Sequence, residues 1–157
     1  MRKTFAEELY KTMSKNNKVY LLVGDLGFGY FDKIREDFPD RYINCGASEQ
    51  SMIGIAVGLA LEGKIPFVYT ITSFYLRAAE TINLYLHHEQ VPVKLIGSGL
   101  FNDYEHDGYS HDGTQAQKFI QSLNIEWFAT IYKKDIKRLL FEMMRNNKPS
   151  FIGLRRG

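Results

Sequence analysis

Apolar positions along this chain switch between two periods. Over residues 4–15, Phe5, Leu9, Tyr10 and Met13 recur at helical spacing, which predicts a helix with one apolar face. Residues 18–23 (KVYLLV) form a short continuous apolar run that ends at Gly24-Asp25, the signature of a buried strand entering a loop. The same two signals alternate to the end of the chain. Strands are predicted over 42–45, 66–71, 91–96, 125–130 and 150–154. Helices are predicted over 48–61, with Ser48 as N-cap, and over 73–88, 114–123 and 135–145. A polar loop fills 97–113. Alternating β and α units with near-continuous apolar strands imply an α/β fold of three layers, a mostly parallel sheet with helices on both faces.

In such a sheet, ligands bind outside the carboxyl ends of the strands. That rule singles out residues 24–25, 46–50, 72–77 and 97–113 before any motif is named. Composition narrows the rest. The 157 residues make one domain, 45% apolar and 24% charged, with the balance of a soluble globular protein. A net charge of +2 without a Lys/Arg stripe gives no footprint for nucleic acid. No apolar run reaches the roughly 18 residues that a membrane span needs. The N-terminus has early acids and no apolar h-region, unlike a signal peptide. The single cysteine, Cys45, excludes an internal disulfide and fits a reducing compartment, so the expected location is cytoplasmic.

Four groups of residues invite chemistry. Glu49 follows Gly46-Ala47-Ser48 and opens a helix, where the dipole favours a carboxylate. A capping acid is its plain reading. The helix behind it carries Gly54 and Gly58 on one face, each costing about 1 kcal/mol relative to Ala, so something is expected to pack closely there. The loop Asp103 to Gly113 contains His106, His111 and several acids, but its spacing matches no zinc or EF-hand pattern, and no metal site is expected. His87 and His88 end a helix, where cations suit the dipole, and read as structural. Arg2, Arg77 and Arg156 are ordinary surface charges unless the fold gathers them into an anion pocket. Gly24-Asp25-Leu26-Gly27-Phe28-Gly29 lacks the third glycine of a dinucleotide loop, since Asp32 stands there, and there is no Walker loop or GxSxG elbow.

The segment RYINCGASEQSMIGIAVGLALEGKIPFVYTITSFYLRAAETI carries Gly-x-x-Glu-Gln, a small-residue helix, Gly-x-x-Pro-Phe and Phe-x-x-Arg-Ala in order. Asp107-Gly108-Tyr109-Ser110-His111 follows, near to Asp-Gly-Pro-Thr-His. Together with Arg2-Lys3 and the closing Pro149 to Gly157, these blocks resemble the pyrimidine-binding domain of transketolase and 1-deoxyxylulose-5-phosphate synthase, enzymes dependent on thiamine diphosphate. The resemblance spans the whole chain. It implies that Glu49 hydrogen-bonds the cofactor's aminopyrimidine, which then takes the proton from the thiazolium. It implies that Phe74 stacks on that ring and that Asp25 and Leu26 lie beside the thiazolium. His111 and Asp107 would face the substrate's oxygens, and Arg2 and Arg156 would grip a sugar phosphate, with Glu49 and His111 the catalytic pair. Arg77 matches the synthase branch better than transketolase and is placed with the substrate.

The departures from the pattern are Tyr109 and Ser110 for Pro and Thr, Gly99 near a transketolase histidine, Gly29 near a phosphate-binding serine, and Glu105-His106 for smaller or acidic residues. In these families a second domain holds the diphosphate and its Mg2+ (or Ca2+) through Gly-Asp-Gly and a later Asn. The 157 residues contain no Gly-Asp-Gly. The resemblance therefore implies half of an active site. The expectation is a single pyrimidine-binding domain over 1–157, without diphosphate-binding or C-terminal domains. It would be active only with a diphosphate-binding partner subunit, in an α2β2 heterotetramer that takes sugar substrates. Transfer of a two-carbon ketol unit is the leading expectation. A decarboxylating 2-oxo-acid transferase and a non-catalytic regulatory subunit are the alternatives.

Overall fold

In the computed structural model, which describes residues 1–128 and 132–156, six strands lie in one sheet. They are β1 (Val19–Val23), β2 (Tyr42–Asn44), β3 (Ile65–Ile71), β4 (Lys94–Ser98), β5 (Glu126–Phe128) and β6 (Ser150–Leu154). The order is β2-β1-β3-β4-β6-β5, and every pairing is parallel. The expected three-layer α/β architecture is present. From β1 the chain crosses outward to β2 and later returns to the other side as β3. The loops after β1 and β3 therefore diverge, opening a crevice at the carboxyl edge between them.

Side-chain alternation along the strands builds two cores. Leu21, Val23, Phe67, Tyr69, Ile96, Ile152 and Leu154 face one way. There they meet Phe5, Leu9 and Met13 of α1 (Arg2–Lys15), Ile34 of α2 (Asp32–Asp37), and Leu139 and Met143 of α6 (Ile136–Arg145). Leu22, Val68, Leu95 and Phe151 face the other way. They meet Met52, Ile53, Ala56 and Val57 of α3 (Glu49–Leu61), Tyr75, Ile82 and Leu86, and Ile120 of α5 (Thr114–Gln121). The helix α4 (Ala79–Thr81) is a single turn within the stretch after β3.

Most predicted elements fall within a few residues of the observed ones, and the differences have local causes. The stretch predicted as one helix over 73–88 is wound three ways: 3-10 over Thr72–Ala78, α over Ala79–Thr81, and π over Ile82–His88. Tyr75 sets the tight first part. Its fully buried hydroxyl reaches between β3 and β4, accepts from the Ile96 N–H at 3.0 Å and donates to the Val68 carbonyl at 2.8 Å. The strand predicted over 91–96 pairs instead over Lys94–Ser98, because Pro92 has no N–H for the ladder. Ser48 takes the N-cap place of α3 but makes no side-chain capping bond. The short α2 was not anticipated. The strand expected over 125–130 is observed as Glu126–Phe128, and Ala129 and Thr130 lie outside the described residues, as does Gly157. No helix among the described residues is long and apolar enough to cross a membrane.

Lys94 is buried at the amino end of β4, far from the loops that open the crevice. Its ammonium donates to the Asn146 carbonyl at 3.0 Å, to Asn146 Oδ1 at 2.6 Å and to the Lys148 carbonyl at 2.6 Å. Desolvation lowers its pKa from 10.5 to about 8, with Glu126 opposing the shift. Between those two values the unfolded chain holds more protons than the folded one, so this group's contribution to stability rises with pH through that window. Below it, the folded state carries the full cost of the buried charge. The expected outcome is that the stability difference between wild type and Lys94→Met moves toward wild type by roughly 2 kcal/mol between pH 7 and pH 10. Urea unfolding of both proteins across that range measures it; a flat difference rules out the burial account.

Candidate functional site

Glu49 is the first residue of α3, and only 2% of it is exposed. The sequence delivers it there through a turn: Gly46 adopts a left-handed φ of 68°, and the Ser48 N–H bonds the Gly46 carbonyl at 2.8 Å. An acid in the first turn of a helix sits at the positive end of the dipole, which offsets part of its burial cost. The rest is offset by Arg77. Its Nη1 lies 3.2 Å from Glu49 Oε1 and 3.1 Å from Oε2, while half of the Arg77 side chain remains in solvent.

Phe74 and Arg77 belong to the 3-10 stretch that Tyr75 pins to the sheet. That stretch brings both beside the tip of α3. The Arg77 guanidinium carbon stands 3.9 Å from the Phe74 ring centroid, a stacked cation–π contact. His111 meets the same ring edge-on at 5.1 Å. His111 Nδ1 and Ser110 Oγ are 3.0 Å apart, and the Ser110 carbonyl accepts from Ser73 Oγ at 2.9 Å, tying the histidine loop to the stretch after β3. Glu49, Arg77, Phe74 and His111 thus form one unbroken series of contacts.

A second group lies beside the first. The Tyr104 hydroxyl accepts from Arg2 Nη1 at 2.9 Å and lies 2.9 Å from Ser98 Oγ. Arg156 has its guanidinium over the Tyr104 ring at 5.1 Å, bonds His106, and accepts from Arg2 Nη2 through its carbonyl at 3.1 Å. The fold does bring Arg2 and Arg156 together from opposite ends of the chain. Tyr104 and His111 are 6.5 Å apart, which joins the two groups. Arg77 is the arginine that does not join the other two, because it is committed to Glu49. Asp107 is exposed and turned to His106 Nε2 at 3.2 Å.

Asp25 and Leu26 follow β1. Asp25 holds a left-handed φ of 53°, rare for a residue with a Cβ. Asn44, at the end of β2, holds it there. Asn44 Oδ1 accepts from the Asp25 N–H at 3.1 Å and from the Gly46 N–H at 3.0 Å, and Asn44 Nδ2 donates to Asp25 Oδ1 at 3.2 Å. Leu26 packs against the first core. Among the described residues, no group of three His, Cys, Asp or Glu side chains is arranged to hold a metal.

Sequence reasoning missed Asn44, Asp103 and Tyr104. Asp103 accepts from the Leu100 N–H at 2.9 Å and the Arg156 N–H at 3.1 Å, and pairs with Arg155 at 2.8 Å. It pins the 97–113 loop to the end of β6. A pairing between positions so distant in sequence leaves no local signal. Gly99 was the one hint: its φ of 78° turns the chain sharply out of β4, and a Cβ there would stand 2.4 Å from the Tyr104 ring.

Asn44→Ala should cost about 0.5–1 kcal/mol, since water can replace Asn44 at the exposed N–H groups but cannot brace the left-handed backbone of Asp25. Hydrogen exchange at Asp25 and Gly46 should quicken while exchange in β3 and β4 stays slow. Unchanged protection at both amides would contradict this role.

The family model for the transketolase, pyrimidine binding domain matches residues 1–157. A protein of Methanocaldococcus jannaschii described as a transketolase C-terminal section is 34% identical over 113 residues, covering 71% of this chain and 36% of that protein. The 1-deoxy-D-xylulose-5-phosphate synthase of Dehalococcoides mccartyi is 28% identical over 157 residues, covering 98% of this chain and 24% of the enzyme. This chain therefore spans about a quarter to a third of those two relatives' length. Among solved structures, a split gene transketolase described as an inactive beta4 tetramer superposes with a TM-score of 0.86 at 25% identity, over 99% of this chain and 51% of that one. With the match of the family model along its length, the chain belongs to the transketolase pyrimidine-binding domain family.

Proposed function

We propose that this chain is the pyrimidine-binding subunit of a split transketolase-like enzyme and transfers a two-carbon ketol unit between sugars or sugar phosphates. One observation carries the reading: a buried carboxylate at a helix tip, beneath an aromatic face, already holds a flat N–H-rich group. The guanidinium of Arg77 occupies that place, bonded to Glu49 and stacked on Phe74. The aminopyrimidine of thiamine diphosphate is equally flat, and its ring nitrogen can share a proton with a carboxylate, so these residues suit it.

Thiamine diphosphate, when bound, supplies the carbanion-stabilising chemistry that carries the ketol unit. The chain's own residues hold and orient. Glu49 accepts a hydrogen bond from the pyrimidine in a site screened from water, where such bonds are strong. Phe74 supplies the stacking face. Asp25, fixed by Asn44, and Leu26, packed against the first core, approach from the end of β1. His111, on a loop tied to Ser73, faces the open side and is placed to exchange a proton with a substrate oxygen. Arg2 and Arg156 present two cations around Tyr104, suited to an anionic group at the far end of a sugar.

The diphosphate half and its Mg2+ or Ca2+ are assigned to a partner polypeptide that carries Gly-Asp-Gly, in an α2β2 assembly. The split gene neighbour supports the division between two polypeptides. So does the outer face of α3. Gly54 and Gly58 are exposed, and a Cβ on either would meet nothing within 4 Å. Each costs about 1 kcal/mol relative to Ala without any contact inside this chain that requires it. Ile55, Leu61, Leu76, Leu84 and Tyr85 stand exposed along α3 and the helical stretch after β3. An apolar face with two bare glycines suits close approach of a partner helix. A reducing cytoplasm suits the lone Cys45.

A second reading is the decarboxylating transferase chemistry of deoxyxylulose-phosphate synthase, favoured by Arg77 and by the relative from Dehalococcoides. The choice of donor separates the two. Affinity purification of the tagged chain should recover a stoichiometric partner bearing Gly-Asp-Gly, and the reconstituted pair should consume a ketose donor. Consumption of a 2-oxo acid with release of CO2 would establish the second reading instead. In the reconstituted pair, Glu49→Gln should lower turnover by about a hundredfold or more while leaving assembly intact. Near-wild-type turnover would overturn the role given to Glu49.

A further inference from the structure

We propose that Arg77 fills the aminopyrimidine's place while the cofactor is absent, and that cofactor entry must displace it. This rests on the thiamine diphosphate reading above and specifies what meets Glu49 before the cofactor does. The contacts are mutually exclusive with a bound ring. Both Glu49 oxygens are engaged by Arg77 Nη1, at 3.2 and 3.1 Å, and the guanidinium covers the Phe74 face at 3.9 Å. No second flat group fits between them.

The physical reason lies in the cost of a bare Glu49. A carboxylate 2% exposed has lost nearly all of its hydration, and one without a partner at that depth is strongly destabilising. Arg77 removes that cost. Its guanidinium is planar, charged and stackable, so one side chain satisfies both the acid and the aromatic face. Its own release is cheap by comparison, because the side chain is already half in solvent. The backbone beneath it need not move, since the neighbouring Tyr75 is anchored between β3 and β4. Cofactor binding is thus an exchange of one flat group, the guanidinium, for another, a ring that shares a proton with Glu49, and its net strength is the difference between the two. Arg77 weakens cofactor binding and spares Glu49 an unpaired charge.

The test uses the full chain labelled with 15N-arginine, with the Arg77 Nε–H signal assigned by its loss in Arg77→Met. The probe is thiamine's isolated pyrimidine fragment, 4-amino-5-hydroxymethyl-2-methylpyrimidine. In wild type the Arg77 signal should move toward that of a solvent-exposed arginine in step with saturation. Arg77→Met should bind the fragment about fivefold tighter, the scale expected for release of a half-exposed ion pair. Arg77→Lys, which keeps the charge but loses the flat fork, should fall between. Fragment binding with an unmoved Arg77 signal, or Arg77→Met binding no tighter than wild type, overturns the exchange and leaves the cofactor reading standing. Binding to neither protein, in the isolated chain and in the reconstituted pair alike, overturns both.

Discussion

Parallel pairing is the constraint from which the rest follows. A parallel strand cannot return through a tight turn, so each crossover carries a helix back along a face of the sheet. All six strands consequently end on one edge, and the loops gather there. Both faces are covered, which is why the strands read as continuous apolar runs. The β2-β1-β3 order then decides where on that edge the crevice lies. Asp25 and Leu26 come from one side of it, and Phe74 and Arg77 from the other. Glu49 enters on the helix that follows β2.

That placement sets the electrostatic problem of the site. Glu49 is sunk at the tip of α3, where the helix dipole helps but does not replace water. A stability argument alone would favour an uncharged side chain there. The protein instead retains the acid and supplies a removable cation. Here the acid is buried and the cation reaches solvent. Asp103 has the same asymmetry with Arg155, and the difference lies in its other partners: two backbone N–H groups also hold it, so release of the arginine would not leave it bare.

Much of this was legible in the sequence, because the relevant signals are local. The alternation of periods gave the layers. Gly-x-x-Glu-Gln marked the tip of α3, and Phe-x-x-Arg marked the stretch after β3. What stayed hidden depends on contacts between distant segments. The winding of residues 72–88 departs from a plain α-helix because one hydroxyl, that of Tyr75, is bound into the sheet. Asn44 reads as the end of a strand, yet it bridges two loops. Tyr104 reads as a loop aromatic, yet Arg2 and Arg156 gather on it from the two termini. Arg77 was legible as a charge near a strand end, and the sequence pattern placed it with the substrate; only the fold shows that its guanidinium lies on Glu49 and Phe74.

The outer face of α3 and the interior of the site are connected by the same helix. Its inner side, Met52, Ile53, Ala56 and Val57, fixes its position against the sheet, and its first residue is Glu49. Its outer side is apolar and carries bare glycines. A helix seated against Gly54 and Gly58 would approach the backbone closely and would lie beside the entrance to the crevice. On the split-enzyme proposal, such an arrangement would make assembly and completion of the site a single event. It would also give a use to a side chain that satisfies Glu49 in the meantime: Arg77 spares the buried acid an unpaired charge.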